Sequence, residues 1–181
     1  VRCVALVIET RPDCGKLEEG NEILRFGGTR IEIGIQSVYD EDLIFVKRGH
    51  SVQESIESSR ILRDLGFKIS FHYMLGLSQD RKKDLLGLKE LFTNPDFRPD
   101  MIKIYPCLVM PGTELYNLWK NNEYIPISVE ESAEIISEAK RFIPEYCRIQ
   151  RIQRDIPETV IASGPKKTNL RQDVEKLCKE K

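Results

Sequence analysis

The run from Thr29 to Ser37, Thr-Arg-Ile-Glu-Ile-Gly-Ile-Gln-Ser, carries polar chemistry behind an apolar stripe. In a strand, successive side chains point to opposite faces, so Ile31, Ile33 and Ile35 share one side while Arg30, Glu32, Gly34 and Gln36 share the other. Three further segments repeat the pattern. From Lys68 to Met74, Ile69, Phe71 and Tyr73 oppose Lys68, Ser70, His72 and Met74. From Met101 to Tyr105, Ile102 and Ile104 oppose Lys103 and Tyr105. From Cys3 to Arg11, Glu9 and Arg11 share the polar side at the C-terminal end. Carboxylate, amide, imidazole, ammonium and phenol groups gathered on one surface make a set of donors and acceptors suited to a polar ligand. An exposed antiparallel strand alternates in the same way, so the reading rests on what lies between the strands.

Helical patterns lie between them. Ser51 with Glu54 forms a capping box, Val52, Ile56, Leu62 and Leu65 follow at helical spacing, and Gly66 stands where a helix C-terminal glycine belongs. Leu85, Leu88, Leu91 and Phe92 mark a second helix, stopped by the restricted backbone ahead of Pro95. Ser128 with Glu131 opens a third, carried by Val129, Ala133, Ile136 and Phe142, and shorter helical stretches span Leu17 to Phe26 and Glu114 to Lys120. Strands alternating with helices imply parallel pairing, because crossovers then cover one face of the sheet. The expected fold class is α/β: a partial (β/α) barrel, parallel strands with outer helices, its isoleucine faces under the helices and its polar faces inside. Sites in such folds collect at the strand C-termini.

With 40% hydrophobic and 31% charged residues, the 181-residue chain can form one sizeable core, and its net charge of −1 gives no global attraction to nucleic acid or membrane. No apolar run approaches the roughly 20 residues of a membrane span and no signal-peptide pattern opens the chain, so a cytoplasmic location is the default expectation, with no membrane partner. The cysteines at 3, 14, 107, 147 and 178 are odd in number and scattered, which reads as reduced thiols. None are spaced closely enough to ligate zinc or an iron–sulfur cluster, so no metal ligand is assigned here and any metal centre would need ligands from outside the chain. The chain opens on Val1 inside an apolar run and reads as part of a longer protein.

Cys147 to Gln153 has no clean apolar side, placing Arg148 and Gln150 on one face and Arg151 and Gln153 on the other, and suits an edge strand. With Arg154, Lys166, Lys167 and Arg171 it makes a local basic patch in a near-neutral chain. Leu170 to Lys181 reads as a charged helix.

Six motifs, in order, carry a resemblance: Ile8-Glu9-Thr10-Arg11-Pro12-Asp13, Glu32-Ile33-Gly34-Ile35-Gln36-Ser37-Val38-Tyr39, Arg48-Gly49-His50, Phe97-Arg98-Pro99-Asp100, Lys103-Ile104-Tyr105-Pro106 and Arg151-Ile152-Gln153-Arg154-Asp155-Ile156-Pro157. Together they resemble the Elongator catalytic subunits, a family of radical S-adenosylmethionine (SAM) tRNA uridine-modifying acetyltransferases, nearly end to end. The resemblance implies a radical SAM barrel, with residues 1–165 as its later half and residues 166–181 as the start of a linker towards a C-terminal acetyltransferase-like domain. It implies an enzyme that places a carboxymethyl group on C5 of the tRNA wobble uridine, using a SAM-derived 5′-deoxyadenosyl radical, a [4Fe-4S] cluster and acetyl-CoA. Its partners would be tRNA and acetyl-CoA, with other Elongator subunits or a second copy. The family's three-cysteine cluster motif is absent from the chain, so the fragment alone is expected to be inactive, and the histidine often found near Ser163 to Arg171 is missing as well.

On this resemblance Glu9, Gln36 and Arg48 fall at positions that contact the ribose or methionine part of SAM: a carboxylate accepts from hydroxyls or an ammonium, and a guanidinium pairs with a carboxylate. The plain alternative is an ion pair of Glu9 with Arg11 or Arg30. His72 stands where relatives carry a cofactor-contacting residue, and Lys103 and Tyr105 point into the same cavity, with a Lys103–Glu32 salt bridge as the alternative. Arg148, Arg151, Arg154, Lys166, Lys167 and Arg171 are the tRNA-facing candidates, since phosphate contacts supply most sequence-independent affinity. Tyr39, Tyr105 and Tyr116 are aromatics that could stack on bases, and Cys107 and Cys147 read as buried thiols. Two other functions fit part of the pattern: a radical SAM enzyme similar to oxygen-independent coproporphyrinogen oxidases, and a non-catalytic tRNA-binding or assembly module.

Overall fold

A computed structural model describes residues 3–166 and 169–180. Its centre is one parallel sheet in sequential order, formed by β1 (Val7–Thr10), β2 (Arg30–Gln36), β3 (Lys68–Leu75), β4 (Met101–Pro106) and β5 (Arg148–Ile152). Helices α1 (Leu17–Arg25), α2 (Asp40–Phe45), α3 (Val52–Asp64), α4 (Arg81–Thr93), α5 (Glu114–Lys120), α6 (Val129–Ala139) and α7 (Leu170–Glu180) complete the described chain, with single turns of 3₁₀ helix at Pro12–Cys14 and Glu158–Val160. The expected α/β class and parallel partial barrel are observed. The first strand is shorter than the alternation from Cys3 to Arg11 suggests, because pairing with β2 runs only from Val7 to Thr10. No helix among the described residues is long and apolar enough to cross a membrane.

The outer face is the core. Ile31, Ile33, Ile35, Ile69, Phe71, Ile102 and Ile104 are fully buried and pack with Leu62 of α3, Leu88 and Leu91 of α4, and Ile136 of α6. Each such side chain contributes about 1.5–3 kcal/mol by leaving water, which is why the isoleucine stripes fix the sheet's orientation. The capping boxes form as the sequence implies. Ser51 Oγ accepts from the Glu54 amide at 3.1 Å while Glu54 accepts from the Ser51 amide at 2.7 Å, and Ser128 with Glu131 repeats this at 3.0 and 2.8 Å. Helix α4 ends at Thr93, just ahead of Asn94-Pro95, and starts from Asp80, a cap the apolar spacing does not reveal.

Two findings depart from the expected layout. Strand β5 does lie at the sheet edge, but its pairing with β4 slips by one residue, Ile102 facing Ile149 while Lys103 faces Arg151. An extra residue in one strand breaks strict alternation, so Gln150 bonds Ser70 at 2.7 Å on the inner face and its neighbour Arg151 lines the inner cavity as well. Helix α7 is docked rather than only charged. Leu170 and Val174 are fully buried in the core cluster, and Arg171 donates to the carbonyls of Ile149 and Gln150 at 3.2 and 3.4 Å.

Candidate cofactor and substrate cavity

A cavity of about 890 Å³ opens at the C-terminal ends of the strands, and Glu9, Gln36, Arg48, His72, Lys103 and Tyr105 all line it. Residues remote in sequence meet there because each strand delivers its polar side inward.

At the end of β2 the backbone turns sharply. Gln36 adopts φ +65 and the Ser37 amide bonds the carbonyl of Ile35 at 2.8 Å. A left-handed conformation at a residue other than glycine is strained, and here it turns Gln36 towards the cavity. Arg48 reaches back to the same place, with Nη2 donating to the carbonyl of Gly34 at 3.3 Å and Nε buried without a partner among the described residues. A Cβ on Gly34 would lie 2.8 Å from Arg48 Nη2 and 2.9 Å from Gln36 Nε2. Gly34 therefore makes the space in which a guanidinium and an amide stand side by side. Burial lowers the proton affinity of Arg48, and neighbouring Arg11 adds to this. His50 anchors the segment from behind, with Nε2 bonded to the carbonyl of Ile35 at 3.3 Å.

Glu9, His72 and Lys103 line the cavity and belong to a charge network around Glu32, which lies behind them with its side chain 2% exposed. Its Oε1 takes an ion pair from Arg30 at 3.2 Å, while Oε2 takes Lys103 Nζ and a hydrogen bond from His72 Nε2 at 2.9 Å. Burial pushes the Glu32 carboxyl up, but hydrogen bonds from Lys103 and His72 outweigh it and hold the group at about 2. Burial also disfavours the Lys103 ammonium, yet its bonds to Glu32 and Glu9 keep its proton affinity raised. Burial lowers that of His72 despite the Glu32 hydrogen bond. Lys103 Nζ reaches Glu9 Oε1 at 2.9 Å, so the salt bridge weighed from sequence exists and Glu9 pairs with Lys103. Arg11 pairs instead with Asp13. Glu9, Glu32 and His72 stand close enough to hold a metal ion, but the Lys103 ammonium bonds both carboxylates.

The basic candidates do not form one patch. Arg151 and Arg154 line the cavity, and the Arg154 guanidinium lies 5.7 Å from the Tyr105 ring centroid. The Gln153 amide donates to the carbonyl of Pro165 at 2.9 Å, tying the segment with exposed Lys166 to the end of β5. Arg148 is exposed at the opposite end of that strand, and Arg171 caps backbone carbonyls. Lys167 lies outside the described residues. Tyr39 receives Lys83 over its ring at 4.5 Å, away from the cavity lining, and Tyr116 packs by Trp119. Cys107 and Cys147 are buried thiols, the latter pushed up to about 12 by burial.

Glu32, which the sequence places on the polar face and weighs only as a partner of Lys103, is the centre of the network. Its place on the same alternating face as Gln36 is the signal for it. The apolar lip of Phe45, Leu115 and Met110 belongs to helices and loops with no strand periodicity, and nothing in the sequence pattern points to it.

Residues 99–180 of this parallel α/β fold match the family described as the Radical_SAM C-terminal domain. The resemblance to the Elongator catalytic subunits is borne out. The chain is 54% identical over 181 residues to a tRNA uridine(34) acetyltransferase of Methanocaldococcus jannaschii, covering 99% of this chain and 33% of that protein. It is 40% identical to Elongator complex protein 3 of Homo sapiens over 94% of this chain and 31% of that one. The solved structure of the archaeal Methanocaldococcus infernus Elp3 with an N-terminal deletion superposes with a TM-score of 0.96 at 52% identity, over 99% of this chain and 42% of that chain. The chain thus spans about a third of the length of the curated relatives it matches.

Proposed function

We propose that this chain is the later half of the radical SAM barrel of an enzyme that places a carboxymethyl group on C5 of the tRNA wobble uridine. The observation that carries this reading is the side-by-side placement of Gln36 and Arg48 over Gly34, with Glu9 of the neighbouring strand in the lining of the same cavity, in a chain about half identical to a tRNA uridine(34) acetyltransferase. An unpartnered buried Arg48 Nε beside a backbone too close for a Cβ is a cradle that suits the polar methionine end of SAM. SAM bound there with a [4Fe-4S] cluster supplies a 5′-deoxyadenosyl radical, for which acetyl-CoA is the proposed co-substrate.

The residues of this chain do the holding. Arg48 offers its guanidinium to the methionine carboxylate, Gln36 offers an amide, and Glu9 accepts from the ribose hydroxyls or the ammonium. Lys103 fixes Glu9 by the 2.9 Å ion pair, limiting its rotamers before a ligand arrives. Arg151 and Arg154 meet tRNA phosphates at the rim, with Lys166 beyond them. The chain has no closely spaced cysteines, so the cluster ligands are contributed from outside it and the fragment alone is inactive on this reading. Helix α7 packs on the barrel through Leu170 and Val174 and so belongs to the barrel unit, and the linker placed from residue 166 is not part of this reading.

Anaerobic reconstitution of the full-length protein tests this. The reading requires 5′-deoxyadenosine formation that depends on both acetyl-CoA and tRNA. SAM cleavage indifferent to both would favour an enzyme similar to coproporphyrinogen oxidases, and intact tRNA binding without cleavage would favour an assembly module.

A further inference from the structure

We infer that Glu32 and Lys103 are positioning residues that lock neutral His72 as its Nε2–H tautomer, so that Nδ1 offers a lone pair to an N–H on the edge of a nucleobase in the cavity. The inference rests on the functional reading above for the ligand, but the lock itself follows from geometry. Glu32 is 2% exposed and lies within ion-pair distance of two permanent cations, Arg30 at Oε1 and Lys103 at Oε2. A carboxylate so placed stays ionised and can only accept hydrogen bonds. The 2.9 Å contact from His72 Nε2 to Glu32 Oε2 must then be a donation from the ring.

A neutral imidazole carries one proton, so Nδ1 is left as an acceptor. The groups facing the ring are Glu32, Glu9 at 3.9 Å from Nε2, Lys103 and Tyr105, whose ring meets it edge to face at 5.6 Å between centroids. The Lys103 ammonium beside the ring opposes a second proton, as burial does. His72 is 12% exposed and lines the cavity, yet Nδ1 has no protein partner among the described residues and is not sealed from the cavity. A ring nitrogen that is open, unbonded and forced to accept selects a donor. The shared chemistry is a base edge bearing N–H, which both the 6-amino group of adenine and N3–H of uracil present.

The test uses the full-length, cluster-loaded protein. ¹⁵N-histidine spectra, with His72 assigned by its loss in His72→Gln, should show an unprotonated Nδ1 and a protonated Nε2 at neutral pH. Glu32→Gln, whose amide can donate or accept, should mix the tautomers. A protonated Nδ1, or an imidazolium at pH 7, overturns the lock. For the ligand, affinities are compared between S-adenosylhomocysteine and its N6,N6-dimethyl analogue, and between anticodon stem–loops with uridine or 3-methyluridine at the target position. Gln at 72 still donates to Glu32, and its acceptor, the amide oxygen, is displaced from the place of the ring Nδ1. We expect His72→Gln to weaken one unmethylated ligand by about 3–10-fold, the value of one uncharged hydrogen bond, and to shrink the methylation penalty for that ligand only. The pair that responds identifies the base. Binding of both pairs unchanged by His72→Gln overturns the ligand assignment while leaving the functional reading intact. Failure of the unaltered protein to bind either ligand sinks that reading and the ligand assignment together, and the tautomer spectrum separates the two cases.

Discussion

Glu32 and Asp84 are buried almost equally, 2% and 4% exposed, yet they sit at opposite ends of the acidity scale. Glu32 is held at about 2 because Lys103 and His72 overcome the cost of its burial. Asp84, on α4 behind the sheet, is pushed up to about 7 by burial, which the 2.9 Å hydrogen bond from the Gly76 amide and the more distant charge of Arg81 only partly offset. Burial does not decide whether a carboxylate is charged; the cations within reach do. The inner face is therefore a charged floor that can orient a ligand. Behind the sheet lies a hydrogen-bonded joint in which Asp84 ties down Gly76, Tyr124 donates to the Gly76 carbonyl at 2.6 Å, and the loop after β3 is fixed.

Lys103→Met separates the two sites most strongly. It leaves Glu32 buried with half its counter-charge and should cost about 3–5 kcal/mol, the usual penalty for breaking a buried pair. Denaturation followed by the fluorescence of Trp119 at pH 7 checks it. The loss should diminish as pH falls towards 3, because a Glu32 freed of Lys103 takes up a proton there. A loss below about 1 kcal/mol would mean that the floor is not electrostatically closed.

Asp84→Asn comes next and carries the opposite sign. A carboxyl raised above its unfolded value contributes stability that is fully present below the unfolded value, near 3.8, and lost as pH rises through about 7. The native chain should therefore lose on the order of 2–4 kcal/mol between pH 5 and pH 9 from this group, and the asparagine variant should lack that loss, keeping only the opposing gain from His50 and His72, whose proton affinities burial lowers. Paired urea titrations at the two ends decide it. Equal slopes in both chains would show that Asp84 finds a cation, and the contrast with Glu32 would vanish.

Part of this contrast was legible in the sequence. Alternation in β2, β3 and β4 placed Glu32, His72 and Lys103 on one face, and parallel pairing follows from the helices between them. The capping boxes at Ser51 and Ser128 and the stop at Asn94-Pro95 likewise sit in local sequence, because each is a contact within one turn. Asp84 was not legible. It follows Arg81, Lys82 and Lys83, which reads as a neutralised helix surface, but Lys83 turns to Asp42 at 2.7 Å and Arg81 to Glu131 at 3.2 Å. Which way those long side chains swing depends on α2 and α6, elements brought near only by folding. The slip at Gln150 and Arg151 is hidden for the same reason, since a bulge is a relation between two strands and leaves no mark on one.

Gly34→Ala probes how the charged floor is shaped rather than how it is charged. The new methyl would meet the ends of Arg48 and Gln36, both flexible, so stability should fall by less than about 1.5 kcal/mol. Both groups must move to admit it. SAM affinity of the full-length protein, measured by calorimetry, should drop about tenfold or more, and Asp84→Asn should leave it unchanged. Affinity retained in Gly34→Ala would place the ligand away from this cradle.

The smallest effects belong to the rim. Charge reversal of Arg151 or Arg154 should weaken tRNA binding similarly for different tRNAs and reduce the slope of affinity against salt by about one for each phosphate no longer neutralised. Arg148→Glu is the internal control, because that residue stands at the far end of β5 from the cavity. Filter-binding titrations of the full-length protein at several salt concentrations separate the cases. If Arg148 changes the slope as much as Arg154 does, the phosphate track runs along the outside of the edge strand, and the rim of the charged floor is not where tRNA is met.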